Sequence, residues 1–247
     1  MNKKQLLEEL RSHKFPELII KAFEKVKREK FIPREFRDYA YMNEPLPLEK
    51  GATISQPYTI AFMLNLLELD GLTYKNKLIN GMDRYEKSSK REIFKHSKSQ
   101  KFEVTDIRRV ASREPRFPGL KILEIGSGSG YVLALINEIL KLRKIKDYKI
   151  YGLEIINELV KNSKKILRNK KIKIIKTDGS KGLKSKSPFD RIIASASFGE
   201  IPSSLFAQLK ERGILVTPVR DSIYKFKKIN GRVETEEFPG FVFVPVV

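Results

Sequence analysis

The clearest pattern of apolar and polar residues lies in the middle of the chain. Residues 121–125 are mostly apolar, as in a short buried strand, and the residues from Tyr131 onward place apolar side chains at helical spacing. Between the two, Gly126, Gly128 and Gly130 alternate with serines. Glycine suits a sharp turn at positive φ and lets a ligand approach the backbone without meeting a Cβ atom. The pattern predicts a strand, a glycine-rich turn and a helix, the first half of a βαβ unit.

A similar alternation of apolar segments continues towards the C-terminus. It predicts strands at 149–154, 172–177, 190–195 and 213–219, and helices at 157–168 and 203–210. Strands that alternate with helices form parallel sheets with right-handed crossovers. A hairpin with a type I′ turn at Asn230-Gly231 and a last apolar strand at 241–247 follow. The predicted fold class is α/β and Rossmann-like: a doubly wound, mostly parallel seven-stranded sheet with N-terminal helices and a C-terminal antiparallel hairpin.

The first 72 residues have a different organisation. Apolar stripes predict helices at 2–11, 16–28 and 57–68. Residues 39–58 have neither a helical nor a strand period and are rich in proline and aromatic side chains. Such irregular segments often carry function. His13, between the first two helices, is interpreted as a surface residue without a partner.

Ser55 lies at or just before the N-cap of the third predicted helix. One interpretation is a capping side chain, since a serine oxygen accepts hydrogen bonds from the first turn. The other is a hydroxyl group directed at an anion, in a position where the helix dipole also favours negative charge. The position of Ser55 leaves both interpretations open.

Residues 73–117 interrupt this organisation. They are dense in Lys, Arg and Ser and have no sustained period, which favours an insertion that is partly ordered at most. We therefore expect a single domain over 1–247 with three parts. These parts are N-terminal helices with an irregular segment at 1–72, the basic insertion at 73–117, and a ligand-binding core at 118–247.

Composition excludes several classes of function. The chain has no cysteine, so it has no disulfide, no thiolate nucleophile and no cysteine-ligated metal, and we predict no metal site. It has neither a signal peptide nor an apolar run of membrane-spanning length. We therefore expect a cytoplasmic protein without a membrane partner.

The net charge of +20 has two interpretations. It can reflect a nucleic-acid or other anionic partner. It can also reflect solvated lysines that are spread over every surface. Because lysine occurs throughout the chain, we favour the second interpretation and expect no specific nucleic-acid binding.

Polar or small residues recur at the C-terminal ends of the predicted strands, where parallel sheets bind ligands. Glu124 lies two residues before Gly126, the first glycine of the turn. A carboxylate there suits a cation, such as the amino group of S-adenosylmethionine, better than it suits a pyrophosphate. Glu154 ends the second strand and is placed to accept hydrogen bonds from ribose hydroxyls. Asp178 and Ala194 fall at the next two strand ends, so a single ligand site is predicted.

Motifs on both sides of the insertion resemble the protein-L-isoaspartate O-methyltransferase family of class I S-adenosylmethionine-dependent methyltransferases. The glycine motif at 123–131 is shared by all class I methyltransferases, whereas Thr-Ile-Ser-Gln-Pro at 53–57 is much more specific to this family. Two residues depart from the family pattern: Ala52 stands where Gln is usual, and Tyr58 where His is frequent. Neither is expected to touch the cofactor. Further matching segments are 31–33, 39–41, 44–47, 178–179, 188–192, 201–202, 208–209 and 243–245.

The resemblance implies protein repair, in which a methyl group passes from S-adenosylmethionine to the free carboxylate of L-isoaspartyl residues in damaged proteins or peptides. Ser55 matches the family's active-site serine. Such a carboxylate, with a pKa of about 3.5, is already ionised at neutral pH, so no general base is needed. Ser55 is therefore assigned an orienting role. A monomer is expected. The assigned substrate-binding residues are Thr53, Ser55, Tyr58 and Ala194. The implied cofactor-binding residues are Glu124, Gly126, Ser127, Gly128, Gly130, Glu154, Asp178 and Gly179.

Two alternatives share the same fold. An RNA methyltransferase would use the basic insertion to hold RNA, but residues 194–197 read Ala-Ser-Ala-Ser and lack the Asn/Asp-Pro-Pro-aromatic signature of amino-directed base methylases. The chain also has no cysteine for thiolate-dependent carbon-5 chemistry. The other alternative is an inactive cofactor-binding relative, against which the intact Glu124, Glu154 and Ser55 argue.

Overall fold

The computed structural model describes residues 1–72, 119–241 and 243. The chain divides into two compact units, one formed by Met1–Leu69 with Gly119–Val247 and the other by Asp70–Pro118. The predicted insertion at 73–117 lies outside the described residues. Its state of order and the three-part division of the domain therefore stay predictions.

Within residues 1–72, three α-helices and a short strand pair precede the central sheet. They are α1 (Lys3–Ser12), α2 (Glu17–Lys25), β1 (Leu46–Pro47), β2 (Thr53–Ile54) and α3 (Pro57–Leu66). Helix α1 begins with a capping box, in which Asn2 and Gln5 each accept a hydrogen bond from the other's backbone N–H. Helix α2 ends at Lys25, before the predicted residue 28, and two 3-10 helices follow at Arg28–Phe31 and Arg34–Tyr39.

The segment predicted to be irregular contains the antiparallel pair β1 and β2. Leu46 lies opposite Ile54, and Pro47 lies opposite Thr53. A 3-10 helix at Glu49–Gly51 joins the two strands. Strands of two residues show no period, so the hydrophobic pattern could not reveal them.

Seven strands form the central sheet, which confirms the predicted fold class. They are β3 (Leu120–Ile125), β4 (Tyr148–Glu154), β5 (Ile172–Lys176), β6 (Phe189–Ala194), β7 (Leu209–Val219), β8 (Ser222–Ile229) and β9 (Arg232–Pro239). The order across the sheet is β5-β4-β3-β6-β7-β8-β9. Strands β3 to β7 are parallel, and β8 and β9 are antiparallel. Because the chain runs outward from β3 to β5 and then returns to β6, the strand order reverses between β3 and β6, which is where such sheets bind ligands.

Helices follow the first two sheet strands, as predicted. Helix α4 (Tyr131–Leu142) follows β3, and α5 (Asn157–Leu167) follows β4. Helix α4 is buried along most of its length because α2 packs against it on the side away from the sheet. Within the part of the chain that the structure describes, no helix has the length and apolar character needed to cross a membrane.

The predicted alternation of strands and helices fails after β5. Only a 3-10 helix at Lys184–Lys186 precedes β6, and a 3-10 helix at Ser203–Gln208 replaces the helix predicted at 203–210. Strand β7 begins at Leu209, where Leu209 pairs with Phe189. This pairing takes residues that the prediction assigned to the helix, and the six that remain form only a short 3-10 turn.

Strands β8 and β9 form the predicted hairpin. Asn230 and Gly231 have φ angles of 51° and 77°, so the turn has positive φ at both central residues, as type I′ requires. The carboxylate of Glu211 accepts hydrogen bonds from both turn N–H groups. The strand predicted at 241–247 is wrong at Phe241 and Phe243, which lie in no strand, and its other residues lie outside the described ones.

Candidate active site

A cavity of about 270 Å³ lies at the C-terminal ends of β3, β4, β5 and β6. This is the position where the strand order reverses. Four of the predicted cofactor-binding residues line it: Gly126, Gly128, Glu154 and Gly179. We call this space the strand-end cavity.

The three glycines of the turn have different roles. Gly126 and Gly128 line the strand-end cavity and have φ angles of 70° and 51°, where glycine is favoured. Gly130, with φ of 84°, precedes α4 and does not line this cavity. A Cβ atom there would lie 2.9 Å from Leu167 Cδ1 and 3.2 Å from Ser163 Cβ. Gly130 is therefore needed for the close approach of α4 and α5.

Glu154 holds the glycine turn in place. Its Oε2 accepts a hydrogen bond of 2.7 Å from the N–H of Gly128, and its Oε1 accepts one of 2.8 Å from the N–H of Ile156. The side chain is buried and forms part of the cavity wall. Each carboxylate oxygen has a second lone pair, so Glu154 can also accept hydrogen bonds from ligand hydroxyls.

Glu124 lies behind the wall of the strand-end cavity. Its Oε1 accepts a hydrogen bond of 2.6 Å from Ser195 Oγ, and Ser195 itself lines the cavity. Its Oε2, together with Ser127 Oγ, has no hydrogen-bond partner among the described residues. Burial raises the pKa of the Glu124 carboxyl to about 8, although the hydrogen bond from Ser195 and the nearby N–H of Leu133 oppose this shift. A buried carboxylate with one oxygen that lacks a hydrogen-bond partner is costly in its charged form, so a cation near Ser195 would stabilise that form.

Asp178 and Gly179 lie at the rim and in the wall, respectively. Asp178 is exposed, and its carboxylate accepts hydrogen bonds from the backbone N–H and the hydroxyl of Ser180, which hold its pKa below the usual value. Its neighbours Thr177 and Gly179 line the strand-end cavity. A Cβ atom at Gly179 would come within 2.7 Å of Ile125 Cγ2, so glycine allows this loop to approach β3.

The opposite wall comes from the N-terminal part of the chain. Lys50, Gly51, Ala52 and Thr53 all line the strand-end cavity. The expectation that Ala52 would lie away from the cofactor site is therefore wrong. The sequence carried no signal for this wall, because the segment meets the strand ends only through the tertiary fold.

A second, larger cavity of about 620 Å³ contains Ser55. We call it the Ser55 cavity. Its wall also contains Tyr58 and Thr53, and Thr53 lines the strand-end cavity too, so the two spaces adjoin. The remaining lining residues are Pro45, Gln56, Thr59, Gly240, Phe241 and Phe243.

Ser55 does not cap α3. The N-cap residue is Gln56, whose side chain makes no capping hydrogen bond, and the N–H of Tyr58 in the first turn donates instead to Asn43 Oδ1 at 2.9 Å. The capping interpretation is therefore wrong. Ser55 lies in the wall of its cavity, and its hydroxyl is available to a ligand there.

A buried arginine that the sequence did not reveal fixes the backbone of Ser55. Arg28 is fully buried, and its Nη1 donates a hydrogen bond of 2.9 Å to the carbonyl oxygen of Ser55. Its Nη2 donates to the carbonyl oxygen of Glu44 at 3.2 Å. The guanidinium carbon lies 5.4 Å from the ring centroid of Tyr131, the first residue of α4. Burial lowers the pKa of Arg28 to about 10.

Two other predictions require correction. Ala194 is fully buried at the end of β6 and lines neither cavity, whereas Ser195 and Ala196 after it line the strand-end cavity. The strand end is covered by its neighbours in the sheet, so only the residues that follow reach the ligand side. His13 is exposed as predicted, but its ring lies 4.8 Å from the ring of Tyr58, so it does have a partner.

Comparison with known proteins assigns these features to one family. Residues 1–79 and 116–247 match the family model for protein-L-isoaspartate(D-aspartate) O-methyltransferases. A protein-L-isoaspartate O-methyltransferase from Pyrococcus horikoshii is 31% identical over 240 residues, which cover 94% of this chain and 85% of that protein. Another from Petrotoga mobilis is 34% identical over 237 residues, covering 94% and 87%.

Solved structures show the same fold. A candidate protein-L-isoaspartate O-methyltransferase from Plasmodium falciparum, in complex with S-adenosyl-L-homocysteine, superposes with a TM-score of 0.69 at 23% identity and covers 100% of this chain and 99% of its own. A further chain named protein-L-isoaspartate O-methyltransferase gives a TM-score of 0.71 at 20% identity and covers 100% of this chain and 66% of its own.

Proposed function

Because the chain belongs to the protein-L-isoaspartate(D-aspartate) O-methyltransferase family, we propose that it repairs proteins by methylating the free carboxylate of L-isoaspartyl residues. The observation that carries the proposal is the junction of two cavities at Thr53. One cavity has the glycines and the carboxylate that a nucleoside ligand needs, and the other contains Ser55. A methyl donor and a carboxylate acceptor can therefore meet at Thr53.

The residues of the strand-end cavity fit S-adenosylmethionine, which is the cofactor. When bound, it supplies an electrophilic methyl group on a positively charged sulfur. Glu154 would accept hydrogen bonds from the ribose hydroxyls of the bound cofactor with the lone pairs that its backbone partners leave free. The hydroxyl of Ser195 donates a hydrogen bond to Glu124, so the lone pairs of the Ser195 oxygen would be free to accept a hydrogen bond from the amino group of the cofactor. Gly126 and Gly128 keep the backbone accessible.

The residues of the Ser55 cavity hold the acceptor carboxylate. That carboxylate is ionised at neutral pH, so the protein has no proton to remove and needs no general base. Ser55 Oγ donates a hydrogen bond to one carboxylate oxygen and directs the other towards the methyl group. Phe241, Phe243 and Pro45 give the cavity an apolar wall that excludes water from the carboxylate.

A methyl-transfer assay tests this function. The protein is incubated with labelled cofactor and, in separate reactions, with an isoaspartyl peptide, the matching aspartyl peptide and bulk tRNA. We expect label in the isoaspartyl peptide only. Label in tRNA would support the RNA methyltransferase instead, and cofactor binding without transfer to any acceptor would indicate an inactive relative.

The remaining sequence predictions are part of the same proposal. We propose that the active form is a cytoplasmic monomer and that Ala52 and Tyr58 modify recognition at the two cavities that they line. Light scattering on the purified chain tests the oligomeric state. Ala52→Gln and Tyr58→His, which restore the common family residues, test the two departures through the Michaelis constants for cofactor and peptide.

A further inference from the structure

Positive charge is densest in one stretch of the chain. Residues 141–176 contain 13 Lys and Arg and three Asp and Glu, so they contribute +10 of the total net charge of +20. Residues 1–72, by contrast, contain 12 basic and 11 acidic residues and are almost neutral. Residues 73–117 contribute a further +7, so the positive charge is distributed unevenly along the chain.

The densest part of this charge lies on the loops that lead into β4 and β5. Lys171 Nζ donates to the carbonyl oxygen of Lys146 at 2.6 Å, and Lys149 Nζ donates to that of Lys170 at 3.4 Å, so the two loops are in contact. We call this group the basic edge. It consists of Lys144, Lys146, Lys149, Arg168, Lys170 and Lys171, none of which forms an ion pair within the described residues.

Helix α5 extends the basic edge. Lys161, Lys164 and Lys165 are exposed and lie at positions i, i+3 and i+4, so they share one face of the helix, and the exposed Arg168 follows as its C-cap residue. This row spans about 10 Å along the helix axis. Because α5 ends at the loop before β5, the row runs into the basic edge without a break.

Structural roles explain only some of these cations. Lysines on an edge strand prevent pairing with other chains, which accounts for Lys173 and Lys176 of β5. Cations in the last turn of a helix interact with its dipole, which accounts for Lys164 and Lys165. Lys149 and Lys171 donate hydrogen bonds between the two loops, and Lys171 Nζ lies 4.2 Å from the ring centroid of Tyr148. The remaining loop lysines, Lys144, Lys146 and Lys170, have none of these roles, and repulsion between like charges destabilises the folded chain.

We infer that the basic edge binds the phosphate backbone of nucleic acids without sequence preference. A protein interface has an apolar, aromatic centre, and an interfacial membrane site needs apolar side chains to insert. Among residues 141–176, the large apolar side chain that is exposed is Ile155, which lines the strand-end cavity instead. Five of the six cations of the basic edge are lysines, which act as point charges for phosphates, whereas reading base edges favours the arginine fork.

The position of the basic edge keeps this binding separate from catalysis. It lies where β4 and β5 begin, whereas the strand-end cavity lies where they end. A bound nucleic acid therefore leaves the cavity open. The inference does not depend on the proposed methyl transfer.

The test measures binding of the full chain to a labelled DNA duplex of about 20 base pairs by fluorescence anisotropy, from about 25 to about 200 mM salt. The variant K144E/K146E/K170E alters the basic edge. The control K14E/K21E/K27E makes the same charge change at exposed lysines elsewhere. We expect the first variant to bind at least about tenfold more weakly, with a salt slope smaller by about 2 to 3, since each phosphate contact contributes about 0.9. The control should change affinity less than about threefold, and both should keep peptide methylation and the unfolding midpoint.

Several results would overturn the inference. One is an equal loss of DNA affinity in both variants. The others are no DNA binding by the wild type at the lowest salt, and binding to poly-glutamate that is as tight as binding to DNA. Vesicles of anionic lipid that bind the wild type but not the first variant, with no binding to DNA, would assign the surface to membranes instead. If the triple Glu variant does not fold, K144Q/K146Q/K170Q should fold and bind with an intermediate loss, and unchanged binding by that variant would equally contradict the assignment.

Discussion

Nη1 of Arg28 lies 2.9 Å from the carbonyl oxygen of Ser55, so a fully buried cation holds the backbone of the residue that we place against the substrate. The same guanidinium donates a hydrogen bond to the backbone carbonyl oxygen of Glu44. It also stacks on the ring of Tyr131, which directly follows the glycine turn. It forms no ion pair with a carboxylate within the described residues. Its Nη atoms instead donate to carbonyl oxygens and its plane lies over an aromatic ring, while Nε has no hydrogen-bond partner among the described residues. These contacts link the substrate segment to the start of α4.

Arg28→Lys should impair transfer to peptide more than binding of cofactor. An ammonium group keeps the charge but cannot donate to both carbonyl oxygens in the planar geometry of a guanidinium. We expect kcat/KM for the isoaspartyl peptide to fall roughly 10- to 100-fold, because small displacements of a positioning group are costly. Steady-state kinetics and calorimetry with the cofactor measure the two effects separately.

Arg34→Lys is the matched control for this experiment, since Arg34 is exposed in the next 3-10 helix. This variant should keep kcat/KM for the peptide and the dissociation constant of the cofactor within about twofold of the wild-type values, as expected for a surface substitution. An equal loss of cofactor affinity and peptide turnover in Arg28→Lys would show that Arg28 has only a general structural role.

Ser55→Ala should lower turnover without changing the stability of α3. Gln56 is the N-cap, so removing the Ser55 hydroxyl removes no capping hydrogen bond. We expect a loss of about 10- to 100-fold in kcat/KM for peptide, with the cofactor dissociation constant and the unfolding midpoint unchanged. Ser204→Ala, at an exposed serine far along the chain, should behave as wild type. Full activity in Ser55→Ala would remove Ser55 from the mechanism.

The buried Glu124 carboxyl should make stability depend on pH. In the unfolded chain it ionises near its ordinary pKa of 4.5, whereas burial raises its pKa to about 8 in the folded protein. Between these pH values the folded state binds more protons, so this group makes the free energy of unfolding fall as the pH rises from about 4.5 to about 8. Glu124→Gln should remove this contribution, which denaturant unfolding at about pH 5 and about pH 8 measures. Glu158→Gln, at an exposed position, is the control and should show the same pH dependence of the free energy of unfolding as the wild type.

Cofactor binding should release a proton from the same carboxyl. A cationic amino group near Ser195 favours the charged form of Glu124, so its pKa should fall on binding. Calorimetry near pH 7 in two buffers with different ionisation enthalpies counts the released proton. The release should be absent in Glu124→Gln. If the wild type releases no proton, the cofactor's amino group does not lie near this pair.

Substitutions at two glycines should separate ligand binding from packing. Gly128→Ala places a Cβ atom 3.7 Å from Leu48 Cδ1, which is ordinary contact, and we expect a stability loss of about 1 kcal/mol from the positive φ alone. Gly128→Val should abolish cofactor binding. Gly130→Ala places a Cβ atom 2.9 Å from Leu167 and should destabilise the fold more strongly, by about 2–4 kcal/mol. Thermal unfolding with and without cofactor distinguishes the two sites, and equal stability losses at both would contradict this separation.

Local sequence patterns were sufficient to predict most of the central sheet. The run from β3 through the glycine turn to α4 combines a buried strand, residues that tolerate positive φ and a helical period, all within about 20 residues. The type I′ turn at Asn230-Gly231 depends on two residues with positive φ. The position of Glu154 at a strand end followed from the same pattern. These features depend on neighbours along the chain, so the order of residues is enough to determine them.

Contacts between distant residues were not predictable in this way. The bond from Arg28 to Ser55 joins residues 27 apart, and the wall formed by Ala52 meets strand ends more than 70 residues away. Gly130 was predicted to bind the cofactor, but the absence of a Cβ atom there makes room for α5. Hydrophobic periodicity reports which face of an element is buried, but not which other element covers it, because that depends on how helices and sheet pack in three dimensions. The local sequence therefore determines the strand ends and turns, whereas tertiary packing determines the partners of Arg28, Ala52 and Gly130.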